Sequence, residues 1–356
     1  MRIVDSIDRV TWSTFVQQHP SGSVFHTPEM FDVFQRASGY RPLVLAALDR
    51  EDNVLALLLS VRVQTLPSIL GHISSRALLY AEPLLCKGDE ASAALNALIA
   101  EHDRRMRRSV LFTEVRPLSG DDGQRAALTA QGYQHYAYLN YVSDVSHPPE
   151  ELLQKMSKRG RRDLRKGQRQ GLCAEDATNL EGIDALYALL QETYANVRVP
   201  LAGRDLFVNA LQILSPVKML KIFVVRHEGT PIAGTAILLH QNTSFFWYAG
   251  LRRGCGLYAM EVIVFAMLEW AHMNGYKTFD FGGAGEPEQE YGVRDFKSKF
   301  GGNLVQYGRS RKIYSPWKFA IATWVYEASR RVWSGSDLSK ADKDPPERLA
   351  SLQPHC

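Results

Sequence analysis

The stretch LYAMEVIVFAMLEWAHMNG, residues 257–275, is apolar almost all the way round. A surface helix carries one apolar stripe, so a helix without a polar face must be enclosed by other elements. Gly275 supplies its stop, because glycine readily takes the left-handed conformation that closes a helix. The neighbours of this segment must therefore provide the enclosure. Before it run LKIFVVR, PIAGTAILLH and SFFWYAG, joined by the turn sequences HEGT and QNT, and after it comes KTFDFGG. That order, three strands in a meander, a buried helix and one more strand, predicts a mixed sheet with helices packed on it.

The same order occurs earlier in the chain. Thr27 caps a helix that begins at Pro28 in FHTPEMFDVF. RPLVLAAL and NVLALLLSVRV form a hairpin around DRED, and a further strand lies in ALLYAEPLL. An Ala/Leu helix over about 89–107, the strand SVLFTEVRP, a short helix ended by Gly132 and a last strand in YQHYAYLNYVSDV complete the half. The pair Pro148–Pro149 then breaks the chain. Two runs of one order predict a structural duplication, and 356 residues are more than one ordinary core accommodates. The expected division is 1–147, 148–315, an amphipathic helix over 316–334 and a disordered tail over 335–356. The helix holds three of the six tryptophans mixed with basic residues, and the tail has few apolar groups.

Composition narrows the function classes. The four cysteines are scattered with no C-x-x-C pair, and the ten histidines show no tight ligand spacing. Neither a disulfide framework nor a zinc site is expected. No G-x-S-x-G elbow, completed dinucleotide fingerprint or P-loop is present. The N-terminal residues lack the apolar core of a signal peptide, and no window reaches the length of a spanning helix. A cytoplasmic protein is expected, with membrane association through the aromatic C-terminal helix as an open alternative to its docking on the second domain.

Three stretches could carry chemistry. In WYAGLRRGCGLYA, Gly254 and Gly256 allow close approach of the backbone to a ligand, Arg252 adds positive charge, and the following helix offers its N-terminal N–H groups to an anion. In FDFGGAGEPEQEYGVRDFKSKFGG, Asp280 ends a strand, Gly282 and Gly283 make a flexible exit, and Lys297 follows Phe296. A cation there can stabilise an oxyanion during acyl transfer. The third is the basic run 155–169, where Lys158, Arg162, Arg165 and Arg169 share one helical face suited to diphosphate or an RNA backbone.

The basic helix, the meander ending in FWYAGL, the buried helix with LEWAHMNGY, and then FDFGG and FKSKFGG together resemble the FemAB-type aminoacyltransferases and their GNAT-like relatives. The glycine loop is similar to the pyrophosphate-binding loop of GNAT acyltransferases, with Leu251 at its leading polar position. The resemblance implies an α/β fold of mixed sheets in two tandem GNAT-like acyltransferase domains, with a cleft for the acceptor. It implies no tightly bound cofactor and an acyl donor as co-substrate, either aminoacyl-tRNA or acyl-CoA. By the same resemblance Phe296 and Lys297 lie near the donor end and the reacting carbonyl, while Tyr248 and Arg204 face a precursor. Phe207 stands at an aromatic position, and Phe34 and Arg36 fall where an aromatic–lysine pattern is expected.

The leading expectation is transfer of an aminoacyl or acyl group to an amine on a cell-envelope precursor of peptidoglycan or polysaccharide, nucleotide- or lipid-linked. Lys297 would stabilise developing negative charge, and Tyr248, Arg204, Asp280 and the Gly254–Gly256 loop would position ligands. Two alternatives stand beside it: acyl-CoA-dependent N-acylation of an amino sugar, and a non-catalytic protein binding RNA or anionic lipid through Arg162, Arg165 and their neighbours.

Overall fold

The computed structural model describes residues 1–64, 75–88, 90–197, 199–254 and 256–333, so the expected tail over 335–356 lies outside the described residues. The first half contains β1 (Arg2–Val4), α1 (Arg9–Gln18), α2 (Pro28–Arg36), β2 (Tyr40–Leu48), β3 (Val54–Gln64), β4 (Ser75–Leu79) and β5 (Leu84–Leu85). It continues through α3 (Ala91–Met106), β6 (Phe112–Val115), α4 (Asp122–Ala130), β7 (Gln134–Tyr136) and β8 (Leu139–Asp144). The second half opens with α5 (Pro149–Lys155), α6 (Lys158–Arg169), β9 (Ala174–Asp176), α7 (Leu180–Val197), α8 (Arg204–Leu214), β10 (Leu220–His227), β11 (Thr230–His240) and β12 (Thr243–Leu251). It closes with α9 (Ala259–Met273), β13 (Thr278–Gly283), α10 (Gly292–Lys297), β14 (Asn303–Gln306), β15 (Arg309–Ile313) and α11 (Pro316–Trp333).

The duplication is real at the level of topology. β2, β3 and β4 form an antiparallel meander, α3 crosses over, and β6 returns parallel to β4. β10, β11 and β12 do the same, α9 crosses, and β13 returns parallel to β12. A parallel return needs a crossover of this length, which is why each helix stands where it does. Ile263, Val264, Met267 and Leu268 of α9 are fully buried against the second sheet. Thr27 caps α2 through Met30 N, and Gly275 closes α9 with φ 81°, as the sequence predicts.

One strand reading needs correction. YQHYAYLNYVSDV is not a single strand of the first half but two strands in different sheets. The first sheet runs β1-β2-β3-β4-β6-β15-β7, and the second runs β14-β8-β13-β12-β11-β10-β9. β8 has crossed to pair with β13 and β14, and β15 has crossed back to lie between β6 and β7. The two crossing segments meet: Gly308 N donates to Tyr138 O at 3.0 Å, and the Arg309 guanidinium lies 3.5 Å from the centre of the Tyr138 ring. Each half thus completes the sheet of the other, and the break at Pro148–Pro149 separates no independent sheets.

Two carboxylates fasten the crossing: Asp103 of α3 takes Lys312 of β15 at 2.7 Å and the Tyr314 hydroxyl at 2.6 Å, and Glu114 makes the more deeply buried cluster. Glu114 on β6 is fully enclosed and takes Arg116 at 2.7 Å, Arg311 of β15 at 2.8 Å and Arg309 of β15 at 3.5 Å, with Tyr136 of β7 donating at 2.8 Å. The halves also share one apolar core, in which Phe25, Phe34 and Tyr80 pack with Phe207, Phe245 and Tyr248. The basic segment divides at Met156, and Ser157 caps α6 through Gly160 N. α11 packs on the first sheet through Phe319 against Phe112 (5.6 Å). Its Trp317, Ile321 and Trp324 are exposed.

Glu114→Gln strands three arginines without their shared carboxylate. Breaking a buried pair in this way costs about 3–5 kcal/mol, and the urea midpoint should fall accordingly.

Candidate functional site at the seam

The second sheet opens where β12 and β13 part. Their parallel register holds only for Thr243↔Thr278, Ser244↔Phe279 and Phe245↔Asp280. Two bulges drive them apart. On β12 the ladder to β11 steps from Tyr248 to Phe246, leaving Trp247 as an extra residue. On β13 the ladder to β8 jumps from Asp280↔Val142 to Gly283↔Asn140, with Gly282 at φ 71°. A bulge bends its strand and frees backbone groups. Asp280 accepts from Gly282 N at 2.6 Å, and the carbonyls of Phe281 and Gly283 receive Lys297 Nζ at 2.5 and 2.6 Å.

Lys297 is therefore buried, with its ammonium on the back of the bulge. Burial draws its pKa down to about 7, with the Asp280 charge opposing and Arg309 assisting. Phe296 packs on the α9 side with Phe300 at 5.1 Å. Asp280 lies on the other side of β13, in the seam. There burial raises its pKa to about 6, against the Gly282 hydrogen bond and the Lys297 charge.

The loop from β12 to α9 carries Arg252, Gly254 (φ 81°) and Gly256 (φ 65°), all exposed. No described side chain caps α9, so its first N–H groups face this loop. Arg252 lies 3.6 Å from Glu192. α6 lies alongside, because Gly167 has no side chain: a Cβ there would stand 2.6 Å from Val262 and 2.9 Å from Tyr258 O. Gln170 bridges to Gly256 O and Tyr258 N, and Lys166 Nζ reaches Tyr258 Oη at 3.3 Å. The inner side of α6 is neutralised, since Lys299 joins Asp163 (3.3 Å) to Glu261 (2.6 Å). Its outer side exposes Lys158, Arg159, Arg162, Arg165, Lys166 and Arg169, with Arg162 resting on Asp163 at 3.0 Å. A helix N-terminus beside exposed cations and a glycine loop is a setting for phosphate.

Below the point of parting, a cavity of about 190 Å³ lies between the sheets. Glu82, His240, Phe245, Asp280 and Tyr307 contribute to its walls, and residues 20–25 form one rim. A smaller hollow, lined by Arg116, Asn140, Gly282, Gly283 and Arg309, adjoins it and shares Leu118 and Phe245 with it. Glu82 accepts from Leu118 N (2.7 Å) and from the Ser119 hydroxyl, and burial raises its pKa. His240 is 8% exposed, and burial lowers its pKa to about 4. It is neutral near pH 7, and its Nε2 has no hydrogen-bond partner among the described residues.

Arg204, Phe207 and Tyr248 come together elsewhere on the second half. Phe207 and Tyr248 sit 4.7 Å apart in the core, and Arg204, one turn before Phe207, is held by Asp184 at 2.7 Å. None of the three lines the seam cavity or its neighbour. The helix that carries the first two, α8, has no counterpart in the sequence reading, and neither do Glu82, His240 and Tyr307 as site residues. The buried acid in AEPLL and the histidine before the QNT turn are signals that could have marked two of them.

Residues 154–298 match the family model described as an acetyltransferase (GNAT) domain. No protein of curated function matches the chain by sequence. Among solved structures the chain is similar to FemX, at 15% identity and TM-score 0.67, covering 88% of this chain and 97% of that one. It is similar to the C-terminal domain of a putative lysylphosphatidylglycerol synthetase from Agrobacterium fabrum (13%, TM-score 0.55, 90% and 94%). It is also similar to a tandem GNAT protein from the clavulanic acid biosynthesis pathway (14%, TM-score 0.54, 86% and 95%). The doubled sheet order described above is thus a tandem GNAT fold.

Asp280 and Lys297 give this region a pH signature. A carboxyl raised to about 6 contributes stability that is complete below the ordinary carboxylate range and lost as pH rises through about 6. A lysine lowered to about 7 leaves the unfolded chain binding more protons above that pH, so stability recovers there. Urea midpoints across pH should show the acid-side fall in the wild type and a flattened one in Asp280→Asn, whose amide oxygen still accepts from Gly282 N.

Proposed function

For a chain with the tandem GNAT-like acyltransferase fold of the FemAB type, we propose that it transfers an acyl or aminoacyl group from a phosphate-bearing carrier to an amine on a cell-envelope precursor. The observation that carries this reading is the parting of β12 and β13 beside the uncapped start of α9 and the basic face of α6. The carrier's phosphates lie on the loop 252–258 with Arg252, Gly254 and Gly256, and α6 extends the cationic surface through Arg162, Arg165 and Lys166. The acyl end enters between the strands. Backbone N–H groups freed along β12 face the acyl oxygen and stabilise the charge that develops on it. Such a reaction asks chiefly for orientation, because a thioester or ester brings its own leaving group.

Lys297 acts through the bulge. By holding the carbonyls of Phe281 and Gly283 it fixes the strand end that presents Asp280, so it is a positioning residue in this reading. Arg204, exposed at the start of α8, contacts the distal part of the acceptor, and Tyr248, buried on β12, supports that surface from beneath through Phe207. The envelope assignment draws on the neighbours, one of which is named for the synthesis of a lipid. It also draws on Trp317, Ile321 and Trp324, which stand exposed at helical spacing on α11 and suit a lipid interface. No helix among the described residues is long and apolar enough to cross a membrane.

Two experiments test the reading. Acetyl-CoA and aminoacyl-tRNA are compared by their effect on the melting temperature, and the true donor raises it because it binds the folded state. Arg252→Glu with Lys166→Glu should weaken that donor about ten-fold, about 1.4 kcal/mol, with the free protein's melting temperature unchanged. Failure of both carriers to bind contradicts the proposal. Sedimentation with anionic vesicles should carry down the wild type, whereas Trp317→Ser with Trp324→Ser should stay in the supernatant.

A further inference from the structure

We infer that the seam cavity receives the ammonium group of a small hydroxylated amine, with Asp280 as its counter-ion and proton acceptor. This rests on the acyl-transfer reading and deepens it by assigning the acceptor's reacting end to a place and a chemical class.

The walls select for positive charge. Two buried carboxylates, Glu82 and Asp280, face a space whose lining contains no lysine or arginine. The nearest ammonium, Lys297, is turned away onto backbone carbonyls. Two carboxylates could also suggest a metal, but among the described residues no group of three His, Cys, Asp or Glu is placed to hold one. His240, more than nine-tenths buried, also lines this space, and its Nε2 has no hydrogen-bond partner among the described residues. Ser21, Ser23, Thr243 and Thr278 line the remainder, and this hydroxyl-bearing part of the lining is where the ligand's own hydroxyls find partners. The volume holds roughly six waters, which suits a group the size of a single sugar ring or a short amino alcohol.

Position relates this cavity to the reaction. Asp280 is the last β13 residue in register with β12, so its carboxylate stands at the apex where the strands part. One of its oxygens is held by Gly282 N, which leaves the other for a ligand. In the step that follows, Asp280 takes one proton from the ammonium. The nitrogen lone pair then forms the C–N bond to the acyl carbon. Collapse of the tetrahedral adduct breaks the bond from that carbon to the carrier's sulfur or oxygen. The second nitrogen-bound proton leaves with the departing thiolate or alkoxide, and Asp280 returns its own proton to solvent. His240 and Tyr307 in the same lining remain neutral, because burial lowers the pKa of the first and raises that of the second, and Glu82 keeps the cavity attractive to cations.

The test is calorimetric titration of the full chain at neutral pH with two ammonium probes, glucosamine and ethanolamine, against their neutral counterparts, glucose and ethylene glycol. At least one ammonium probe should bind ten-fold or more tightly than its counterpart. Asp280→Asn keeps the hydrogen bond from Gly282 N, and Glu82→Gln keeps that from Leu118 N while its amide donates to the Ser119 oxygen; each should lose that preference while its donor-induced rise in melting temperature stays as in the wild type. No preference for either ammonium probe, or a preference that survives both substitutions, overturns the assignment. Donor binding is read separately, so a chain that prefers ammonium but binds neither carrier contradicts the acyl-transfer reading and not the cavity.

Discussion

The buried carboxylate of Glu114 holds the most consequential contact in the molecule. It gathers Arg309 and Arg311 from β15, Arg116 from its own strand and Tyr136 from β7, and so fixes a strand of the second half inside the sheet of the first. A charge removed from water is costly unless it is paired and hydrogen-bonded, and here it is surrounded. The segment that carries β15 across the molecule also supplies Tyr307 to the seam cavity and Gly308 and Arg309 to the hollow beside it. Without the exchange the halves would touch through apolar side chains but the seam would lack a wall.

The functional geometry follows from the same economy of backbone pairing. Each crossover returns a parallel strand, and the second one departs from its neighbour after three registered pairs. The departure is stabilised locally: Gly282 adopts a left-handed conformation, Asp280 takes its N–H, and Lys297 takes two carbonyls. One lysine thereby converts backbone groups that the ladder has abandoned into a fixed edge. Its low pKa is the consequence of that burial.

Much of this was legible in the sequence because periodicity and turn chemistry act locally. The all-apolar 257–275, the HEGT and QNT turns, Thr27 before Pro28 and Gly275 each specify their own surroundings, and the doubled order of strands follows from them. The exchange was not legible. YQHYAYLNYVSDV reads as one β run, and only long-range pairing with β13 and β15 divides it between two sheets. The same limit applies to the site. Gly254, Gly256 and Asp280 announce themselves through spacing and position, whereas Glu82 and His240 lie far apart in sequence and become neighbours only through the seam. Lys297 was visible as an unusual lysine between phenylalanines, but the direction of its ammonium depends on a bulge that no local pattern encodes.

The central claim is that an acyl donor enters between β12 and β13. Amide hydrogen exchange with and without acetyl-CoA or aminoacyl-tRNA reads this directly. The account predicts slowed exchange in residues 246–251 of β12 and at the start of α9 when the donor is bound. Protection confined to the outer face of α6, with β12 and α9 unchanged, would contradict it.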